Sequence, residues 1–119
     1  MKLTNLEIIC QKVADSYKKV YGGDIQGIYL CGSHANGDFD GDPEIDFAAI
    51  VKGDRNELQK RRDKVLDETV RMDLEYDVIT SPQVISAADF EKYGEEIPAY
   101  RNIKRRGKRI DRVNAISVG

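Results

Sequence analysis

At 119 residues the chain has the length of one ordinary domain, enough for a single core spanning residues 1–119 and too short for a catalytic domain beside a separate substrate domain. Charged residues make up 34% and the formal charge is −2, which fits a heavily solvated surface and excludes a general polyanion binder. The sum conceals an asymmetry: from Tyr100 onward there are seven Lys/Arg and one Asp, whereas residues 1–99 carry twelve basic and twenty acidic side chains.

The opening stretch, "MKLTNLEIICQKVADSYKK", has neither the apolar run nor the small-residue cleavage site of a secretion signal, and no later stretch reaches membrane-spanning length. The expectation is a cytoplasmic protein with no membrane partner. Leu6, Ile9, Val13, Tyr17 and Val20 recur at three- and four-residue intervals and predict a helix over Thr4 to Tyr21, with Thr4 and Glu7 as a capping box and Gly22-Gly23 as its stop. "IQGIYLCGS" then predicts a first strand and "EIDFAAIV" a second, neighbouring strand. "GDRNELQKRRDKVLDETVRMD" predicts a second helix capped by Asp54, with Leu58, Val65, Leu66 and Val70 as its apolar stripe. "LEYDVIT" alternates and predicts a third strand. Ser81-Pro82 predicts a helix start, with a short helix between Gln83 and Tyr93. No element is assigned to the tail from Ile97. Cys10 and Cys31 show no CxxC spacing, so both are expected to be ordinary buried thiols. This order of elements predicts an α+β fold, a small mixed sheet with helices packed mainly on one side.

Between the first two strands, "CGSHANGDFDGDPEIDF" packs five carboxylates into the nine positions from Asp38 to Asp46, a concentration that calls for a cation. Asn36, Asp38, Asp40 and Gly41 match the first half of a calcium-binding EF-hand loop, but the twelfth position is Phe47 where a bidentate Glu is required, and a strand precedes the loop where a helix is required. Phosphate chemistry fits better. Strand alternation puts Glu44 and Asp46 on one face, about 7 Å apart at Cα, with Ile45 on the other. Asp77, between apolar neighbours on the predicted third strand, supplies a third carboxylate. Three such groups can hold two magnesium ions about 3.5–4 Å apart for phosphoryl or nucleotidyl transfer. Gly32-Ser33, where the first strand ends and a short helical turn can begin, offers close backbone approach, N–H groups and a hydroxyl to phosphate oxygens.

A Gly-Ser at a strand end, ten intervening residues, acid-x-acid opening the next strand and a lone acid on a later one resemble the minimal nucleotidyltransferases of the DNA polymerase β superfamily. Ala35 and Gly37 also fall where that family has its "GSxARG" segment, and "IPAYRNIKRRGKRI" is similar to endings of bacterial members. The resemblance implies a nucleotidyltransferase fold and transfer of NMP, usually AMP from ATP, to a hydroxyl. It further implies that Glu44, Asp46 and Asp77 are the catalytic, Mg²⁺-binding residues, with Asp77 near the acceptor, and that Gly32 and Ser33 bind the terminal phosphates. It implies as partner a helical HEPN-type toxin modified on a tyrosine, the chain being its antitoxin.

Three positions depart from the family pattern: Asn36 stands for Arg, Pro43 for Ser, and Glu44 for the commoner Asp. Loss of the Arg removes a phosphate-neutralising cation. The alternative function is therefore a nucleotidyltransferase-fold interaction module with an impaired site. His34, the single histidine, is expected to be exposed and idle. The basic tail, with only Tyr100 for stacking and no nucleic-acid module signature, is expected to be solvated or to meet an acidic partner or the triphosphate rather than nucleic acid.

Overall fold

In the computed structural model, which describes residues 4–35 and 43–111, the first helix begins and ends where its caps predict. Thr4 is extended and its Oγ1 accepts from the Glu7 N–H at 3.1 Å, after which α1 (Asn5–Tyr21) runs to Gly22, whose φ of +57° ends it. A single 3₁₀ turn, Gly22–Asp24, leads into β1 (Ile25–Cys31). A four-residue helical turn, α2 (Gly32–Ala35), follows β1, and β2 (Glu44–Val51) covers the stretch predicted for it.

The four-stranded sheet has the order β3-β2-β1-β4. β1 pairs antiparallel with β2, Cys31 opposite Asp46, and β2 pairs parallel with β3 (Ile79–Ser86), Asp46 opposite Ser81. Alternation along β2 sorts two cores. Ile45, Phe47, Ala49 and Val51 join the main cluster with Ile28 and Leu30 of β1 and the buried stripes of α1 and α3 (Arg55–Tyr76). Ala48 and Ile50 face the other way, into a smaller cluster with Ile85 and with Ile103 of α5 (Pro98–Arg106), edged by Phe90 of α4 (Ala87–Tyr93) and by Tyr100. The two long helices thus cover one face, and two short helices only partly cover the other.

The α3 to β3 region differs from the sequence expectation. α3 continues through Leu74–Tyr76, residues predicted to open the third strand, because Val65, Thr69, Met72 and Tyr76 keep a four-three-four spacing against the main core. The alternation of Leu74, Tyr76 and Val78 is coincidental, and Leu74 is 81% exposed. β3 therefore starts later, and Ser81-Pro82 lies inside it rather than opening a helix. Pro82 is tolerated because β3 is an edge strand. The carbonyls along β3 are taken by side chains from the two long helices. Tyr17 donates its hydroxyl to Gln83 O at 2.6 Å, Arg62 Nε donates to Pro82 O at 2.6 Å, and Gln59 Nε2 donates to Val84 O at 3.0 Å.

The tail forms α5, with Pro98 in its first turn, and the two-residue β4 (Lys108–Arg109), which pairs with β1. Its cations are partly engaged: Arg105 with Glu95 at 3.3 Å, Arg109 with Asp111 at 2.7 Å, and Lys104 over the Phe90 ring. Arg112 lies outside the described residues. Among the described residues no helix is long and apolar enough to cross a membrane.

Candidate active site

Glu44 and Asp46 open β2 on the face of the smaller cluster, since Ile45 and Phe47 between and beyond them are turned into the main core. Both predicted carboxylates therefore stand on one surface, about 7 Å apart at Cα. Gly32, directly after β1, meets them from the neighbouring strand. It has φ +68°, and a Cβ there would lie 2.8 Å from Asp46 Oδ2. Only glycine combines that backbone conformation with so close an approach to a carboxylate. Ser33 follows in α2, so Gly32, Ser33 and Asp46 share one corner of the sheet. Cys31, paired with Asp46 across the strands, is only partly buried, and its thiol is pushed up to about 12 by burial and by the Asp46 carboxylate. Cys10 is buried as expected.

Asp77 is not on a strand. It is the C-cap of α3, left-handed at φ 54°, ψ 50°, and exposed. Its position still relates to the site. The first residue of β3, Ile79, pairs with Glu44 and donates its N–H to Pro43 O at 2.9 Å, so Asp77 lies two residues before the partner of Glu44, off the starting end of β3. The residue beside Asp46 on β3 is Ser81, a hydroxyl where the expected arrangement has an acid. The other acids near Asp77 are committed elsewhere. Asp73 accepts from Thr80 N at 3.2 Å and Thr80 Oγ1 at 2.8 Å, and Thr80 pairs with Ile45, whose side chain lies on the opposite face. Glu75 pairs with Lys12 of α1 at 3.8 Å. Among the described residues no group of three His, Cys, Asp or Glu side chains is gathered as a metal site.

Asn36, Asp38, Asp40 and Gly41 of the calcium-loop reading lie outside the described residues, as does Gly37. The flanks decide against that reading, because a strand, β2, follows the loop where an EF-hand requires a helix. His34 is half-buried in α2 rather than exposed.

A cleft of about 550 Å³ continues inward from Asp46 and Gly32, between the sheet and α5. Ala48, Gln83 and Ile85 form its floor, and Tyr100, Ile103 and Arg106 approach from α5. Sequence reasoning missed these residues because they form no motif. The available signal was the apolar pair Tyr100 and Ile103, one helical turn apart among cations.

A family model described as a nucleotidyltransferase domain matches residues 10–110, which include β1, α2, β2, β3 and the whole cleft. No curated protein matches the chain.

Proposed function

The chain belongs to the nucleotidyltransferase-domain family, and on that premise we propose that it moves a nucleoside monophosphate, AMP from ATP, to a hydroxyl acceptor on a protein partner. The observation that carries this reading is the contact of Gly32 with Asp46, on the face that also carries Glu44. It brings a phosphate-approaching backbone turn against an acid-x-acid pair.

The donor set suits magnesium. Carboxylates are hard oxygen donors, and this ion is commonly held by one or two of them, with substrate phosphates and water completing its octahedron. Glu44 and Asp46 would be the protein ligands, and a third clustered acid is not required for binding. When bound, magnesium neutralises phosphate charge and stabilises the developing charge on the oxygens in flight. The chain's own groups do the rest. Gly32 and Ser33 bind the terminal phosphates through backbone N–H groups and a hydroxyl. The acceptor oxygen forms its bond to the α-phosphorus as the bond from that phosphorus to the bridging oxygen breaks, and pyrophosphate leaves with the electron pair. Asp77, exposed at the end of α3 two residues before the strand partner of Glu44, takes the acceptor proton. Ile79, the strand partner of Glu44, is 56% exposed, an apolar contact a protein acceptor can use, and a tyrosine of a helical HEPN-type partner is the acceptor we favour, making the chain the antitoxin of such a pair.

Ser81 beside Asp46 and Asn36 in the phosphate segment favour a second reading, an interaction module of the same fold that binds without transferring. Calorimetry of ATP with Mg²⁺ separates the two, comparing wild type with the double substitution Glu44→Gln/Asp46→Asn. Magnesium-dependent binding that disappears in the double variant, followed by transfer of label from α-labelled ATP, supports the enzyme. Absence of binding by either protein leaves the interaction module.

A further inference from the structure

The sequence groups Leu58, Val65, Leu66 and Val70 into one apolar stripe of α3, and the structure divides them. Leu58 and Val65 are buried, whereas Leu66 is half-buried and Val70 is 53% exposed. Leu66, Val70 and the 81% exposed Leu74 follow one another at four-residue intervals. They form a second ridge, about 12 Å long, that the fold leaves largely uncovered. We propose that this ridge docks a helix of another protein, one whose own apolar stripe is bordered by Lys or Arg. Docking there does not depend on nucleotide transfer.

Charge selects the partner. At about 100° per residue, Asp63, Asp67 and Asp77 fall within the same sector of about 100° as the ridge, and all three are exposed. No Lys or Arg of α3 falls in that sector. Its cations face elsewhere: Arg61 reaches Val20 O, Arg62 reaches Pro82 O, Arg71 lines the groove against α1, and Lys60 pairs with Glu57. Helical spacing puts Lys64 with Glu68 on the α1 side, where Glu68 pairs with Lys19. An apolar ridge with an acidic border repels nucleic acid and anionic lipid headgroups, and it matches apolar side chains flanked by cations.

A second copy of this chain is a poor match. Face to face, the three aspartates would meet their own counterparts. Among the described residues the other exposed large apolar side chain is Ile79, at the start of β3. The basic α5 turns Tyr100 and Ile103 toward the smaller cluster and presents no large apolar side chain outward. A helix also suits the ridge better than a strand. A row at i, i+4 and i+8 is the one that helices interdigitate when they cross at about −50°, or fit to a three-residue row at about +20°, whereas an extended segment finds no free backbone partners on a helix surface. Lys or Arg stems on the docked helix can lie along Val70 and Leu74 while their cations reach Asp63 and Asp67. The ridge runs toward Asp77, so a docked helix has one end near the strand that pairs with Glu44.

Two synthetic helical peptides of equal length and identical apolar stripe test the docking face, one bordered by Lys and Arg and the other by Glu. Each is titrated into isotope-labelled protein, and amide shifts are mapped. Affinities are measured by calorimetry for wild type, Val70→Gln/Leu74→Gln and Asp63→Lys/Asp67→Lys. Both double variants place good helix formers at exposed positions, so α3 persists, and melting temperatures check this. The expected result is that the basic peptide shifts amides over 63–77 and binds wild type at least tenfold tighter than the acidic one. The glutamine variant loses tenfold or more of that affinity, and the lysine variant prefers the acidic peptide. Shifts centred on Glu44 and Asp46, absence of binding, or a glutamine variant that binds as wild type does overturn the docking face. Equal affinity for the two peptides, or a lysine variant that still prefers the basic one, overturns the charge selection. Sedimentation of the chain alone covers self-association: a dimer that the glutamine variant dissociates assigns the ridge to a second copy and overturns docking of a foreign helix.

Discussion

Replacing Gly32 with alanine tests how the site corner is built. Two costs arise. A non-glycine residue in the left-handed region is disfavoured by about 1–2 kcal/mol, and the new Cβ would stand 2.8 Å from Asp46 Oδ2, closer than side-chain carbons come to other atoms. Relieving that overlap turns the Asp46 carboxylate away or shifts β1 from β2, which adds about 1 kcal/mol. The sum, about 2–3 kcal/mol, lowers the melting temperature of a domain this size by roughly 8–15 °C. The two costs separate in an Asp46→Ala background, where Oδ2 is gone and only the backbone cost remains. Thermal denaturation of wild type, Gly32→Ala, Asp46→Ala and the double variant gives a cycle with an expected coupling of about 1 kcal/mol. Calorimetry should show Mg²⁺-dependent ATP binding weakened at least tenfold by Gly32→Ala, beyond its effect on stability. Equal destabilisation by Gly32→Ala in both backgrounds would refute the idea that Gly32 is glycine because of Asp46.

Asp77→Gly relieves a left-handed C-cap and is expected to stabilise the protein by about 0.5–1 kcal/mol, while transfer falls about 100-fold or more through loss of the proton acceptor; a stabilised variant with full transfer removes Asp77 from the chemistry. For Asp111, burial alone would raise the carboxyl, but the bonds from Arg109 and from the Ile28 N–H outweigh it and hold it below the usual carboxylate range. The stability this gives is fully present above about pH 4 and is lost as pH falls through the lower native value, so an acid titration followed by circular dichroism should show a loss below that pH that Asp111→Asn lacks. Cys10 and Cys31, each pushed up to about 12 mainly by burial, should resist dithionitrobenzoate at pH 8 until the protein unfolds, and Asp46→Asn should speed only Cys31.

Where the sequence pattern is local and redundant, the structure follows it. α1 has an unbroken apolar stripe, a side-chain cap and a terminating glycine, three signals in agreement, and β2 is bounded by the acidic loop and by Gly53. The contact of Gly32 with Asp46 was legible as a spacing, because a Gly-Ser at the end of one strand and an acid pair opening its antiparallel neighbour must meet at one corner. Asp77 was harder. Leu74, Tyr76 and Val78 satisfy period two, while Val65, Thr69, Met72 and Tyr76 satisfy the helical period, and only packing against α1 decides between them. Pro82 misled because proline opens helices more often than it sits in strands, and its tolerance here depends on β3 being an edge, a property of topology. The cleft was harder to read, because its only local signal is the pair Tyr100 and Ile103 one turn apart, and the small residues Ala48 and Ala99 that leave its space carry no pattern of their own.

The way α3 closes off β3 limits how other chains can meet this sheet. Pro82 has no N–H to offer, and the carbonyls of Pro82 and Val84 already accept from Arg62 and Gln59. An extended peptide laid along β3 would find few free backbone groups there, so strand addition, whether by a folding neighbour that aggregates or by a recruited substrate, has little to grip. A protein that presents its hydroxyl to this domain must then be recognised through side chains at the rim, and its reactive residue can sit on a helix as readily as on an unstructured loop.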